Sequence, residues 1–168
     1  TLRSIRFLLV AGVARKAPMD KVGLLSLATA VPPYIVEQGV AKSRARELFG
    51  GRKELFDRLA GVFDNAGIAQ RHIVAPIDWY EHSHGWKERN RLYLDASDAM
   101  FREAGAAAIE RAGLSPSEID GIVVVSTTGI ATPSLDARNG PGIGLRPDVR
   151  RVPIFGMGCA GGVNGLAT

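Results

Sequence analysis

The hydrophobic positions change their period several times along the chain, and each change predicts an element. Residues 21–31 are almost continuously apolar and stop at Pro32-Pro33, which cannot continue a hydrogen-bonded ladder, so 22–28 is predicted as a buried strand. Residues 35–49 predict a helix closed by Gly50-Gly51. Leu55, Leu59, Val62 and Phe63 recur at helical spacing and predict a second helix over 54–66, ended by Gly67. Residues 68–73 read as a short extended piece, and 76–87 as an irregular stretch carrying Trp79, Tyr80, His82, His84 and Trp86. A long Ala-rich helix is predicted over 89–112, with Gly113 at its end. Ser115, Pro116 and Glu118 then have the spacing of a capping box, which opens a single turn.

The β-branched run 122–126 shows no alternation, as expected of a central strand covered on both faces. Residues 133–145 are broken by glycine and proline, 152–155 predict another strand, and a helix is predicted to open after the glycines around Cys159. This order predicts an α/β layered fold, with helices on both sides of a mixed sheet. No internal repeat or linker interrupts it. The last helix would reach barely two turns by Thr168, a length only marginally stable alone, so the chain is expected to be part of a larger fold.

Composition sharpens this only a little. With 168 residues, 46% hydrophobic and 23% charged, the chain fits one soluble globular unit rather than a disordered one. A net charge of +4 suits anionic partners, but Lys42, Arg44, Arg46, Arg52, Lys53 and Arg58 are interleaved with Glu47, Glu54 and Asp57, as on a solvated helix face. No aromatic-plus-basic register suggests nucleic acid as a partner. One cysteine excludes an intrachain disulfide framework and a cysteine-rich zinc site, and fits a reducing, cytoplasmic setting. No apolar run approaches the roughly 18 residues of a membrane-crossing helix, so no membrane partner is expected. Residues 1–18, Arg-containing and then apolar, loosely resemble an export signal, but Met19 follows. They are expected to be an upstream extension, with the domain running over 19–168.

The chemistry concentrates at Gly158-Cys159-Ala160-Gly161-Gly162, predicted between a strand and a helix. Glycine before the cysteine permits a tight turn. A helix N-terminus offers unpaired amides and partial positive charge, which favour a thiolate and can hold an oxyanion during acyl transfer. A lone cysteine is also commonly a buried structural residue. Spacing by itself leaves both readings open.

Residues 121–168 are similar to the nucleophile-bearing half of bacterial chalcone and stilbene synthases, the type III polyketide synthases. The stretch Gly144-Leu145-Arg146-Pro147 and the Gly158–Gly162 elbow carry most of the specificity. The resemblance extends back to about Met19 through Asn65-Ala66-Gly67-Ile68, Arg71-His72 and Trp86-x-x-Arg89. It implies the N-terminal half of a thiolase-like α-β-α fold, a homodimer, and an acyltransferase that extends a starter acyl-CoA by decarboxylative condensation with malonyl-CoA. It also implies that coenzyme A thioesters serve as substrates with no resident cofactor or metal. Carried over by position, Cys159 is the acyl-accepting nucleophile. Thr127 and Thr128 line the starter pocket, and Thr132 lies on the loop that reaches toward the partner subunit's cavity. Arg58 falls on a coenzyme A-binding position, while Gly61 and Asn65 occupy other such positions without a charge. The family's decarboxylating histidine and asparagine are matched by none of His72, His82 and His84. The family's regular helix before Gly-Leu-Arg-Pro should be broken here by Asn139-Gly140-Pro141-Gly142-Ile143. Two further readings are a ketoacyl synthase III or hydroxymethylglutaryl-CoA synthase relative, sharing the cysteine elbow, and a non-catalytic fragment that only binds.

Overall fold

The computed structural model describes residues 23–168, which form two compact units: Val31–Gly85, and Trp86–Thr168 together with residues 23–30. The expectation for residues 1–18 lies outside the described residues.

In the first unit, β1 (Tyr34–Glu37) pairs antiparallel with β2 (Gln70–Ile73), Tyr34 opposite Ile73 and Glu37 opposite Gln70. Helix α1 (Gln38–Leu48) follows directly. The helix predicted from residue 35 therefore begins three residues later. Ile35 and Val36 are β-branched, and the β2 strand offers them a ladder that helix propensity does not outweigh. Gln38 locks the corner: its backbone N–H donates to the Ala69 carbonyl at 2.8 Å, its side-chain amide donates to the Phe63 carbonyl at 2.7 Å, and Arg71 Nε donates to its Oε1 at 2.8 Å. The single helix predicted over 54–66 is instead two short ones, α2 (Lys53–Leu59) and α3 (Gly61–Asn65). Its buried face also differs from the prediction. Phe56 is buried between the rings of Phe49 (5.4 Å) and Phe63 (6.0 Å), while Leu55, Leu59 and Val62 stay exposed. Aromatic packing, with its larger buried area, sets the helix rotation. The core of the unit is Val36, Ala41 and Ile73, with Phe63, Ile77 and Tyr80 against it.

The second unit is built on α4 (Trp86–Arg111), whose buried residues Tyr93, Ser97, Met100, Phe101, Ala104, Gly105, Ala108 and Ile109 recur every three to four positions. The predicted capping box is present at Ser115, on a 3-10 turn over Pro116–Glu118. It leads into β3 (Gly121–Ser126), which pairs in parallel with β4 (Arg150–Phe155), Gly121 opposite Arg150 and Ser126 opposite Phe155. Parallel pairing requires a crossover. Here it runs through α5 (Leu135–Asn139) and a 3-10 turn, Pro141–Ile143, so the helix break expected over 139–143 is present. Helix α6 (Gly161–Ala167) closes the unit.

The strand predicted over 22–28 does not form among the described residues. Residues 23–30 find no strand neighbour and are tied instead to α4, through Ser26 Oγ donating to the Ala108 carbonyl (2.6 Å) and Arg111 Nη1 donating to the Leu27 carbonyl (2.9 Å). Among the described residues the expected mixed sheet is accordingly two separate strand pairs, one antiparallel and one parallel. Among the described residues, no helix is long and apolar enough to cross a membrane.

Candidate active site

The elbow around Cys159 is formed by backbone that only glycine adopts easily. At the end of β4, Gly156 takes φ +80° and donates its N–H to the Ser126 carbonyl at 3.1 Å. Gly158 takes φ +54°, a 3-10 turn spans Gly158–Ala160, and α6 starts at Gly161. In the left-handed region a Cβ clashes with the backbone, so the chain reverses here within a few residues because these positions are glycine. Cys159 sits on the turn as an exposed thiol outside any disulfide and is not a buried structural residue.

What holds the elbow to the sheet is the absence of side chains on one face of α6. A Cβ at Gly161 would stand 2.5 Å from Val125 Cγ1, and one at Gly165 would stand 3.0 Å from Val125 Cγ2 and 3.4 Å from Val123 Cγ1. These glycines are one helical turn apart, so α6 lies directly on the Val123 and Val125 side of β3. The opposite face of β3 buries Ile122 and Val124. This two-sided covering explains the unalternating apolar run. The oxyanion donors expected at the helix start are partly engaged already, since the Gly161 N–H donates to the Gly158 carbonyl.

The parallel register brings Thr127 and Thr128 to the same end of the strand pair as the elbow. Ser126 lies opposite Phe155, and both chains continue from there, one into Thr127-Thr128 and the other into Gly156. Both threonines are exposed. Thr132 is exposed too and lies farther along the loop, before a cis bond to Pro133. Arg58 belongs to the other unit, in the last turn of α2, and is exposed. It has no carboxylate partner among the described residues, whereas Lys42 pairs with Asp64 (2.8 Å), Arg46 with Asp57 (3.0 Å) and Arg44 with Glu81 (2.9 Å). His72 and His84 are engaged with backbone, His72 Nδ1 at 3.0 Å from the Pro32 carbonyl oxygen and His84 Nε2 at 2.8 Å from that of Trp79. Among the described residues no group of His, Cys, Asp and Glu could hold a metal ion.

Sequence reasoning missed the residues that support the loop after β3. Asn90 and Tyr93, one turn apart on α4, reach Ile130 and Ser126 respectively. It also missed Asp136, which is 1% exposed, with neither carboxylate oxygen hydrogen-bonded and Arg151 Nε of β4 at 3.8 Å. The only signal in the sequence was that Asn90 and Tyr93 share one face of a predicted helix.

The family described as chalcone and stilbene synthases, N-terminal domain, matches residues 12–168. A 1,3,6,8-tetrahydroxynaphthalene synthase of Streptomyces peucetius is 38% identical over 141 residues, covering 82% of this chain and 37% of that protein. Among solved structures, the tetrahydroxynaphthalene synthase of Streptomyces coelicolor superposes with a TM-score of 0.67 at 24% identity, over 76% of this chain and 36% of that one. The polyketide synthase PKS-I of the brown alga Ectocarpus siliculosus superposes with a TM-score of 0.72 at 22% identity, over 95% of this chain and 43% of that one. The fold is thus the thiolase-like α/β fold of type III polyketide synthases. The chain belongs to the chalcone and stilbene synthase family, in its N-terminal domain. It spans less than half the length of each of these relatives.

Proposed function

We propose that Cys159 is the acyl-accepting nucleophile of a type III polyketide synthase, loaded from a starter acyl-CoA. The observation that carries this is an exposed thiol on a glycine-built strand-to-helix elbow in a chain of this family. In the loading step the Cys159 sulfur, as thiolate, attacks the thioester carbonyl carbon. The new carbon–sulfur bond forms as the bond to coenzyme A breaks, and coenzyme A leaves as its thiolate to take up a proton. In the whole protein the loaded acyl group is then extended by decarboxylative condensation with malonyl-CoA, within a homodimer.

Thr127 and Thr128 supply hydroxyls and methyls to the wall of the starter pocket beside the elbow, and Thr132 faces the partner subunit's cavity. Arg58 binds a coenzyme A phosphate. Among the described residues it has no carboxylate partner, whereas Lys42, Arg44 and Arg46 are each paired, and this supports that assignment. Exposed apolar side chains on β4 and α6, Phe155, Val163 and Leu166 among them, support a face covered in the whole protein.

The test is alkylation by iodoacetamide. Cys159 is expected to react readily at neutral pH, and an acyl-CoA in excess is expected to protect it. A folded chain whose thiol reacts no faster than free cysteine and is not protected would overturn the assignment.

A further inference from the structure

The loop after β3 carries Thr127, Thr128 and Thr132, yet β3 itself stops at Ser126 and gives the loop no ladder. Its shape is set by α4. Asn90 Oδ1 accepts the Ile130 N–H at 3.0 Å, and Asn90 Nδ2 donates to the Ile130 carbonyl at 3.0 Å. One side-chain amide thus satisfies both backbone groups of one loop residue, as a neighbouring strand would. One turn further on, the Tyr93 hydroxyl is hydrogen-bonded to Ser126 Oγ. The Tyr93 ring fills the space beside Gly129 so closely that a Cβ there would stand 2.2 Å from it. Tyr93 is itself buried. The loop is therefore fastened at Ser126, Gly129 and Ile130, and the exposed Thr127 and Thr128 are the residues between the fastenings.

We infer that Asn90 and Tyr93 are the positioning residues that set starter selectivity: they hold Thr127 and Thr128 against the acyl chain without touching it. The inference rests on the starter-pocket reading of those threonines. Their part is geometric, since small displacements of a positioning group change discrimination strongly. The two side chains divide the task. The Tyr93 ring excludes any side chain at position 129, its hydroxyl fixes Ser126, and Asn90 fixes the loop at Ile130.

The test uses the 168-residue chain and an equimolar mixture of acetyl-, hexanoyl- and dodecanoyl-CoA. The ratio of acyl adducts on Cys159 is read by intact mass, and amide exchange of Ile130 by deuterium uptake. Wild-type chain is expected to favour one acyl length. Asn90→Ala is expected to weaken that preference by about tenfold and to raise Ile130 exchange by a similar factor, with total acylation retained. Tyr93→Phe, which keeps the ring, is expected to shift the preference less than Tyr93→Ala, and Gly129→Ala to behave like Tyr93→Ala. Circular dichroism of each variant identifies any that has unfolded, and Tyr93→Phe keeps the question open to decision if Tyr93→Ala is one of them. Unchanged adduct ratios in folded Asn90→Ala, or unchanged Ile130 exchange, overturns the inference alone. Wild-type chain that takes up no acyl group overturns the starter-pocket reading and the inference with it.

Discussion

A single methyl group at Gly161 would collide with the strand beneath the elbow, because the nearest atom, Val125 Cγ1, would lie 2.5 Å from it. Gly161→Ala is expected to destabilise the chain by about 1–3 kcal/mol in urea unfolding. Adding Val125→Ala, which removes the colliding carbon, is expected to recover a large part of that, a coupling that two independent sites would not show. Additive losses in the double variant would mean that α6 does not rest on Val125. At this scale the glycines around Cys159 left a nucleophile and a buried structural cysteine both open, and the family resemblance chose between them. The sequence hid Asn90 and Tyr93, because each acts on a loop more than 30 positions away, 40 in the case of Asn90 and Ile130. It hid the packing role of Gly161 and Gly165 for a related reason: a missing side chain signals a close approach without naming the partner.

Helix α5 is short and would not persist alone, so its attachment to α4 decides whether the crossover between β3 and β4 holds its course. That attachment is polar. Asp98 of α4 accepts from Arg138 and, at 2.6 Å, from Asn139 Nδ2, and Arg102 Nη1 donates to Asn139 Oδ1 at 2.8 Å. Burial pushes the Asp98 carboxyl up, but the bonds from Arg138 and Asn139 outweigh it and hold the group below its ordinary value. A carboxyl depressed on folding contributes stability that is complete above its unfolded value, about 3.9, and is lost as pH falls through the lower folded value. Asp98→Asn is therefore expected to lower stability at pH 6 by about 1 kcal/mol and to flatten the acid limb below about pH 4. Equal acid dependence in wild type and Asp98→Asn, followed by denaturant unfolding, would show that the contact contributes nothing.

Elements with a strong local signal were legible in advance: α4 by its length and alanine content, β3 and β4 by their apolar runs, and the turn at Ser115 by its capping box all lie where the sequence put them. The helix over 54–66 was misread because local aromatic packing around Phe56 set its buried face, and the other misread segments depended on a distant partner. Residues 35–37 became strand because β2 pairs with them, and 23–28 stayed outside any ladder because no described strand adjoins them.

Over the whole molecule, the catalytic account divides between loading and extension. The resemblance that assigns Cys159 also calls for a histidine and an asparagine that no position of this chain matches, and His72 and His84 are held against backbone carbonyls. The 168-residue chain alone is accordingly expected to release no carbon dioxide from malonyl-CoA above the background seen without protein, followed with carbon-13-labelled substrate. Turnover by the purified chain would show that extension needs nothing beyond these residues. Family and fold were legible from the sequence because the elbow and the Gly-Leu-Arg-Pro stretch are both specific and local. The division into two units was not, because no composition shift or linker marks the boundary at Gly85. The central claim is that Cys159 takes up an acyl group, and the most direct measurement is intact-mass analysis after incubation with hexanoyl-CoA, with the adduct mapped by tandem mass spectrometry. The expected result is one hexanoyl group per chain, on Cys159, absent in Cys159→Ala and removed by hydroxylamine. A folded chain that gains no adduct, or gains it equally in Cys159→Ala, would contradict the account.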